Sequence, residues 1–139
     1  MTYLRNGSLR NIQSAAVNPS FRFIHGDILS AEDCQSACAG HDVVFHLACL
    51  GVRHSLHSPF ENHRVNAEGT LQVLQAAHRH GVSRFFYIST SEVYGRTDIF
   101  PISERCPTVP TTVYGASKLA GEHYTLAFRE NCGLPATVL

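Results

Sequence analysis

Short apolar runs that alternate with longer helix-forming segments are the feature that most limits how this chain can fold. Strand-like runs lie at 21–25, 42–47 and 84–89, and another begins at 136–139. Parallel strands need a long crossover between them, usually a helix, and the intervening segments have that length. The pattern therefore predicts an α/β fold with a parallel sheet built from βαβ units. Because its centre is apolar throughout, the run at 42–47 is expected to be buried on both faces of the sheet.

Local signals place the helices between these strands. Ser30, with Asp33 three residues later, forms a capping-box pattern that predicts a helix start, and Gly40 predicts the end of that helix. A serine followed by a proline at the first helical position predicts a second helix over 59–79. A third helix is predicted over 113–131, before a Gly-Leu-Pro sequence that ends it.

Composition argues against several classes of protein. Eleven basic residues balance eleven acidic ones, so nothing favours a nucleic acid or an anionic membrane as partner. No apolar run approaches the roughly 20 residues that span a bilayer. The first residues lack the apolar core of a secretory signal, and we therefore expect a cytoplasmic protein.

The cysteines and histidines do not predict a metal site. Five cysteines at irregular spacing indicate free thiols rather than a disulfide framework. Cys34 and Cys38 lie four apart and can in principle bind a metal as a pair, but buried apolar thiols are the favoured interpretation. The nine histidines form none of the common metal-binding motifs, so no metal is predicted.

Tyr114 and Lys118 carry the chemistry that the residues themselves suggest. Because they are four positions apart, their phenol and ammonium groups share one face of the predicted helix. A tyrosine is a poor base at neutral pH, but a cation beside it favours the phenolate and lowers its pKa. Thr90 lies at the carboxyl end of the preceding strand, the edge where open parallel sheets bind ligands. The three side chains predict a site that removes and returns a hydroxyl proton.

Five sequence blocks in a fixed order carry a resemblance to a known family. They are Gly26-Asp27-Ile28, His46-Leu47-Ala48, Val65-Asn66-Ala67-Glu68-Gly69-Thr70, Ile88-Ser89-Thr90-Ser91-Glu92-Val93-Tyr94-Gly95 and Tyr114-Gly115-Ala116-Ser117-Lys118-Leu119-Ala120-Gly121-Glu122. With them the chain resembles the extended short-chain dehydrogenase/reductases, in particular the NAD-dependent epimerases and dehydratases that act on nucleotide sugars. The resemblance extends over about residues 7–139.

The resemblance implies a role for each matching residue. Tyr114 would be the general base, Lys118 would bind the nicotinamide ribose of NAD and tune Tyr114, and Thr90 would orient the sugar hydroxyl. Asn66 would bridge its helix to neighbouring backbone. Four further residues would contact the cofactor, Asp27 and Ile28 at the adenine and Leu47 and Ala48 at the next strand end.

The implied reaction is oxidation of the C4 hydroxyl of a nucleotide-linked sugar, most simply a UDP-sugar, with hydride passing to NAD. Return of hydride to the opposite face gives epimerisation, loss of water gives dehydration, and loss of a carboxylate gives decarboxylation. The run 51–55 resembles the loop of uronate epimerases, and Ser91 stands where dehydratases have an aspartate. A 4-epimerase or a decarboxylase is therefore favoured. For Glu92, catalysis and a solvated carboxylate are equally favoured.

Two features of the family do not occur in this sequence. There is no GxxGxxG or GxGxxG turn for the cofactor pyrophosphate, and Thr2 stands where an acid usually binds the adenosine ribose. The chain also stops at Leu139, before the family's substrate-binding region. We therefore interpret residues 1–139 as one partial NAD(P)-binding domain, a Rossmann-like doubly wound sheet that lacks its first strand, and expect it to be inactive alone.

Two further expectations follow from this interpretation. A sheet without its central strand exposes strand edges and apolar faces, which predicts re-pairing of strands, or self-association into homo-oligomers. The alternative to an enzyme is a non-enzymatic Rossmann-like module with a regulatory or interaction role. The intact Thr90, Tyr114 and Lys118 favour the enzymatic interpretation.

Overall fold

A three-stranded parallel sheet is the centre of the fold in the computed structural model, which describes residues 7–139. Its strands, in spatial order, are β1 (Val43–His46), β2 (Arg84–Tyr87) and β3 (Ala136–Val138). Val43 lies opposite Arg84, and both strand pairs are parallel. The predicted α/β class and the three later strand predictions are confirmed.

Helices cover one face of this sheet. In chain order the helical segments are a 3-10 turn at Leu9–Ile12, α1 (Gln13–Ala16), α2 (Ala31–Cys38), α3 (Val52–His57), α4 (Pro59–His63), a π-helical turn at Arg64–Glu68, α5 (Gly69–Arg79), a 3-10 turn at Ser91–Tyr94 and α6 (Val113–Cys132). Helices α5 and α6 pack together over the sheet, and α2 packs on α5. Phe85 and Tyr87 of β2 point into this layer and are fully buried. In the described part of the chain, no helix is long and apolar enough to cross a membrane.

The predicted start of α2 is confirmed, with one difference in its capping. The Ser30 hydroxyl accepts the amide of Asp33 at 3.2 Å, as an N-cap should. The Asp33 carboxylate, however, accepts the amide of Asp27 at 2.9 Å instead of closing the capping box. This bond fixes the turn before the helix, and Gly40, with a φ of 72°, follows the helix end.

The prediction of a strand at 21–25 is wrong. Residues 21–24 have no regular secondary structure, and His25 forms a single-residue bridge. A strand is defined by its pairing with a neighbour, and the sheet at residues 7–139 contains only β1, β2 and β3. Apolar residues in a short run are therefore not sufficient to predict a strand.

The prediction that β1 is buried on both faces is also wrong. Val43 and Phe45 are 44% and 60% exposed, and the following Leu47 is 63% exposed. These side chains alternate along the strand on the face opposite α5, where Phe45 stacks on Phe86 with ring centroids 4.8 Å apart. The apolar run thus forms an open sheet face. Self-association through it remains a prediction, which sedimentation velocity can measure.

The helix predicted over 59–79 is divided by the π-helical turn at Arg64–Glu68. Pro59 is the first helical residue, as predicted, but Ser58 makes no side-chain capping bond. The segment before it, which was expected to be a loop, forms α3. The third predicted helix is confirmed as α6, with the Thr112 hydroxyl accepting the amide of Gly115 at 2.9 Å.

Candidate active site

The end of β2 and one face of α6 meet to form the candidate site. Tyr114, Lys118 and Glu122 lie at successive turns of α6, opposite the residues that follow β2. The residues that follow β2 contact this face in order: the Lys118 ammonium donates to the Ile88 carbonyl at 2.5 Å and the Ser89 hydroxyl donates to the Glu122 carboxylate. Thr90 lies close enough to Tyr114 to lower its pKa. The structure therefore brings Thr90, Tyr114 and Lys118 together.

Close packing at the start of α6 makes this meeting possible. A Cβ added at Gly115 would lie 2.7 Å from the Glu92 carbonyl oxygen and 3.0 Å from Cβ of Pro110. Glycine at this position lets the helix approach the 3-10 turn that follows Thr90. The Glu92 carboxylate accepts the hydroxyl of Thr112 at 3.2 Å, which ties that turn to the N-cap of α6.

Lys118 is a buried cation. It is 3% exposed, and its ammonium lies 4.2 Å from the centre of the Tyr87 ring. Burial lowers the pKa of Lys118, whereas Cys49 and Glu122 act to raise it. The charge therefore points into the end of β2, at the Ile88 carbonyl.

The pKa of Tyr114 is raised, chiefly by burial and next by Cys49, although Thr90 acts to lower it. The prediction that the Lys118 ammonium lowers the Tyr114 pKa is therefore wrong for this structure. The physical reason is the position of the Lys118 ammonium, which donates to the Ile88 carbonyl and lies over the Tyr87 ring. Sequence reasoning also missed Cys49, which lies close enough to Tyr114 to raise its pKa. Its position after Ala48, at the same edge of the sheet, was the available signal.

A buried polar network ties the loop after β1 to α6. The Asn66 amide group accepts the Leu50 amide at 2.7 Å, donates to the Leu50 carbonyl at 2.9 Å and donates to the Ser117 hydroxyl at 3.0 Å. Asn62 donates to the same carbonyl at 2.8 Å and accepts the Ser117 hydroxyl at 3.1 Å. The predicted bridging role of Asn66 is confirmed, and the network fixes the position of Cys49 relative to Tyr114.

A cleft of about 460 Å³ lies between α2 and β1. Ile28, Leu47 and Ala48 line it together, so the structure collects three of the four residues expected at the cofactor. The carboxylate of the fourth, Asp27, accepts the Leu29 amide at 2.9 Å and so stabilises the turn beside Ile28.

The cysteines of α2 behave as buried thiols. Cys34 and Cys38 are 1% and 3% exposed, and Sγ of Cys34 donates to the Ile28 carbonyl at 3.3 Å. Burial raises the pKa of Cys34 to about 12, which disfavours the thiolate that a metal requires. Among residues 7–139, no group of three or more potential ligand side chains is placed to hold a metal ion.

Comparison with known proteins identifies the family. The model of the NAD dependent epimerase/dehydratase family matches residues 3–139. The chain belongs to this family. Among curated relatives, dTDP-glucose 4,6-dehydratase of Streptomyces niveus is 37% identical over 99% of the chain and 41% of its own length. The chain thus spans less than half of the relatives it matches.

Solved structures of this epimerase/dehydratase family have the same fold. A dTDP-glucose 4,6-dehydratase from Streptomyces venezuelae, solved with NAD bound, matches with a TM-score of 0.92 and 32% identity over 99% of this chain and 42% of its own. A UDP-glucuronic acid 4-epimerase from Bacillus cereus, in complex with UDP-glucuronic acid and NAD, matches with a TM-score of 0.84 and 37% identity. That match covers 93% of this chain and 41% of the epimerase. The expected membership of the NAD-dependent epimerases and dehydratases is confirmed.

Proposed function

We propose that this chain carries the reacting groups of an NAD-dependent nucleotide-sugar epimerase or dehydratase that oxidises the sugar C4 hydroxyl. The observation that supports this proposal is the placement of Tyr114 and Lys118 at successive turns of α6, opposite Ile88 and Thr90, which follow the carboxyl end of β2. A phenol, a hydroxyl and an ammonium on converging elements are the groups that move a proton to and from an alcohol. The family membership supplies the reaction class.

Each of the three side chains has a distinct task in this proposal. Thr90 hydrogen-bonds and orients the sugar hydroxyl. Tyr114 accepts its proton as phenolate during oxidation and returns it as phenol during reduction. The raised pKa of Tyr114 favours the phenol in this structure, whereas Thr90 acts in the opposite direction and favours the phenolate. The positive charge of Lys118, one helical turn away, stabilises negative charge that develops at the site.

The residues present fit one end of NAD, the group that takes up and gives back the hydride when bound. Lys118 and Tyr114 would hold its nicotinamide ribose. The cleft that Ile28, Leu47 and Ala48 line would receive the rest, with Asp27 beside it at the adenine. The apolar lining and the buried ammonium of Lys118 support this placement, since dinucleotides bind outside the carboxyl ends of parallel strands.

The substrate in this proposal is a nucleotide sugar, with a UDP-sugar first. Ser91 replaces the aspartate expected of a dehydratase, which favours a 4-epimerase or decarboxylase. Glu92, which is half-buried and bonded to Thr112, is the fourth proposed catalytic residue. Its carboxylate lies close enough to Tyr114 to affect the Tyr114 pKa.

We also propose that residues 1–139 form one partial NAD-binding domain and do not complete the reaction alone. The sequence contains no glycine-rich turn, which normally places backbone amides against the cofactor pyrophosphate. Turnover of UDP-glucose by the chain with added NAD, followed by NMR of the sugar, would contradict this part of the proposal.

Calorimetric titration of the chain with millimolar NAD tests the cofactor site. The wild-type chain should bind, and Lys118→Met should bind about 10- to 100-fold more weakly, because hydrogen bonds to charged groups contribute about 1.5–3 kcal/mol. Arg129→Met is the matched control, since Arg129 is a 47% exposed cation on the same helix.

Two results would overturn the cofactor assignment. The first is a wild-type chain that releases no heat with NAD, which is what the alternative of a non-enzymatic module predicts. Equal affinity in Lys118→Met and Arg129→Met would instead remove Lys118 from the site. Circular dichroism confirms that both variants are folded.

A further inference from the structure

The proposed role of Lys118 raises the question of what keeps a long, buried cation in one place. Lys118 is the only lysine in the sequence, and it is 3% exposed. A single carbonyl, that of Ile88, accepts its ammonium at 2.5 Å. Burying an ammonium is costly unless several groups compensate the lost water, so a further partner is needed.

The ring of Tyr87 supplies that partner. Tyr87 is the last residue of β2 and is fully buried. Its ring centre lies 4.2 Å from Nζ of Lys118, within the distance over which an aromatic face attracts a cation. Such contacts are strongest where water is excluded, which is the case here.

The same tyrosine also holds the helix from which Lys118 projects. Its hydroxyl donates to the backbone carbonyl of Lys118 at 3.0 Å. A Cβ at Gly121 would lie 2.6 Å from Cζ of Tyr87 and closer still to its hydroxyl, so only glycine admits the ring at this point. One side chain therefore contacts Lys118 at both its backbone and its charged end.

We propose that Tyr87 is a positioning residue for Lys118, with its ring holding the ammonium at the carboxyl end of β2 and its hydroxyl fixing the helix turn. The ring favours the charged form of the lysine against the effect of burial. The position of the ammonium can be tested by itself, whereas its use in binding a ribose rests on the proposed function.

The single lysine makes a direct test possible. A chain labelled with ε-¹³C lysine gives one side-chain resonance, whose titration reports the protonation of Lys118 alone. In Tyr87→Leu, loss of the ring should shift the midpoint to lower pH, by an amount equal to about 2- to 30-fold weaker proton binding, the range of cation–π contacts. Tyr87→Phe keeps the ring and should titrate close to wild type.

Phe85→Leu is the matched control for cavity formation. Phe85 is also fully buried on β2 and points to the same face, two residues earlier. Its truncation should loosen the core without moving the Lys118 midpoint. An unchanged or higher midpoint in Tyr87→Leu would overturn the proposal, as would a shift in Phe85→Leu or Tyr87→Phe equal to that in Tyr87→Leu.

A measurement on the wild-type chain keeps the proposal testable if Tyr87→Leu does not fold. Protons on the lysine ε-carbon, placed over the ring, should show an upfield ring-current shift and nuclear Overhauser effects to the Tyr87 ring. Random-coil shifts for these protons would overturn the proposal. Neither readout requires NAD, so a failure of the cofactor assignment in the calorimetric titration is distinguishable from a failure here.

Discussion

His46 should make this fold sensitive to mild acid. The ring is 4% exposed at the end of β1, and its Nε2 lies 2.9 Å from the Thr70 hydroxyl oxygen. That hydroxyl donates to the Asn66 carbonyl at 2.6 Å, so its oxygen is left to accept the Nε2 proton of a neutral ring. Burial, and then the charge of Lys118, lower the pKa of His46 from 6.5 to about 4.

The magnitude follows from the difference between the two pKa values. The unfolded chain binds a proton at His46 as the pH falls through 6.5, whereas the folded chain does so only near 4. The contribution to stability is therefore complete above pH 6.5 and is lost between pH 6.5 and 4. At about 1.4 kcal/mol for each unit of pKa, the loss amounts to roughly 3 kcal/mol.

Urea unfolding of wild-type chain and His46→Asn, from pH 8 to pH 4, measures this loss. The variant cannot titrate at this position, and its amide can still donate to Thr70. It should be less stable than wild type at pH 8, and the gap should narrow by about 3 kcal/mol by pH 4. His41→Asn, at an exposed histidine, should leave the wild-type pH dependence in place.

A constant gap between wild type and His46→Asn across this pH range would refute the reasoning. It would mean that His46 binds its proton equally well in the folded and unfolded chain. A narrowing of the same size in His41→Asn would show that the effect does not belong to the buried ring.

Two other substitutions test the packing around the sheet. Gly121→Ala should lower the free energy of unfolding by about 1–3 kcal/mol, because the new methyl group collides with a buried tyrosine ring. The exposed Ala127→Ser on the same helix should change it by about 0.5 kcal/mol in thermal unfolding. Above pH 9 the Cys34 thiol ionises only in the unfolded chain, so stability should fall by up to about 1.4 kcal/mol per pH unit. Cys34→Ala should reduce this alkaline loss, whereas Cys132→Ala, at an exposed thiol, should leave it unchanged.

The sequence predicted elements whose signals are local. The strand at 84–87 was readable as a short apolar run, and the helix from Val113 was readable because a Gly-Leu-Pro sequence ends it. The strand expected at 21–25 failed because pairing depends on a neighbour that the segment itself does not encode. The π-helical turn at Arg64–Glu68 was likewise invisible, because the side-chain pattern there is compatible with an ordinary helix.

The candidate site was likewise predictable only where local spacing or strand position marked its residues. Four-residue spacing placed Tyr114 and Lys118 on one helix face, and the edge rule for parallel sheets placed Thr90 near them. The direction of the Lys118 ammonium was not predictable, since it depends on the ring and the carbonyl at the end of β2. Cys49 follows β1 at the same edge of the sheet, but its approach to Tyr114 depends on the folded loop, so its position alone did not predict it.

The hydrogen bonds of Asn62 and Asn66, which tie the loop after β1 to α6, affect how the site binds its ligands. In the described part of the chain, every fully buried polar side-chain atom has a hydrogen-bond partner. Moving the loop away from α6 would break several such bonds at once, each costly to leave unmade without water. The loop after β1 is therefore held in place before any ligand binds. Little conformational entropy of this loop remains to be lost on binding.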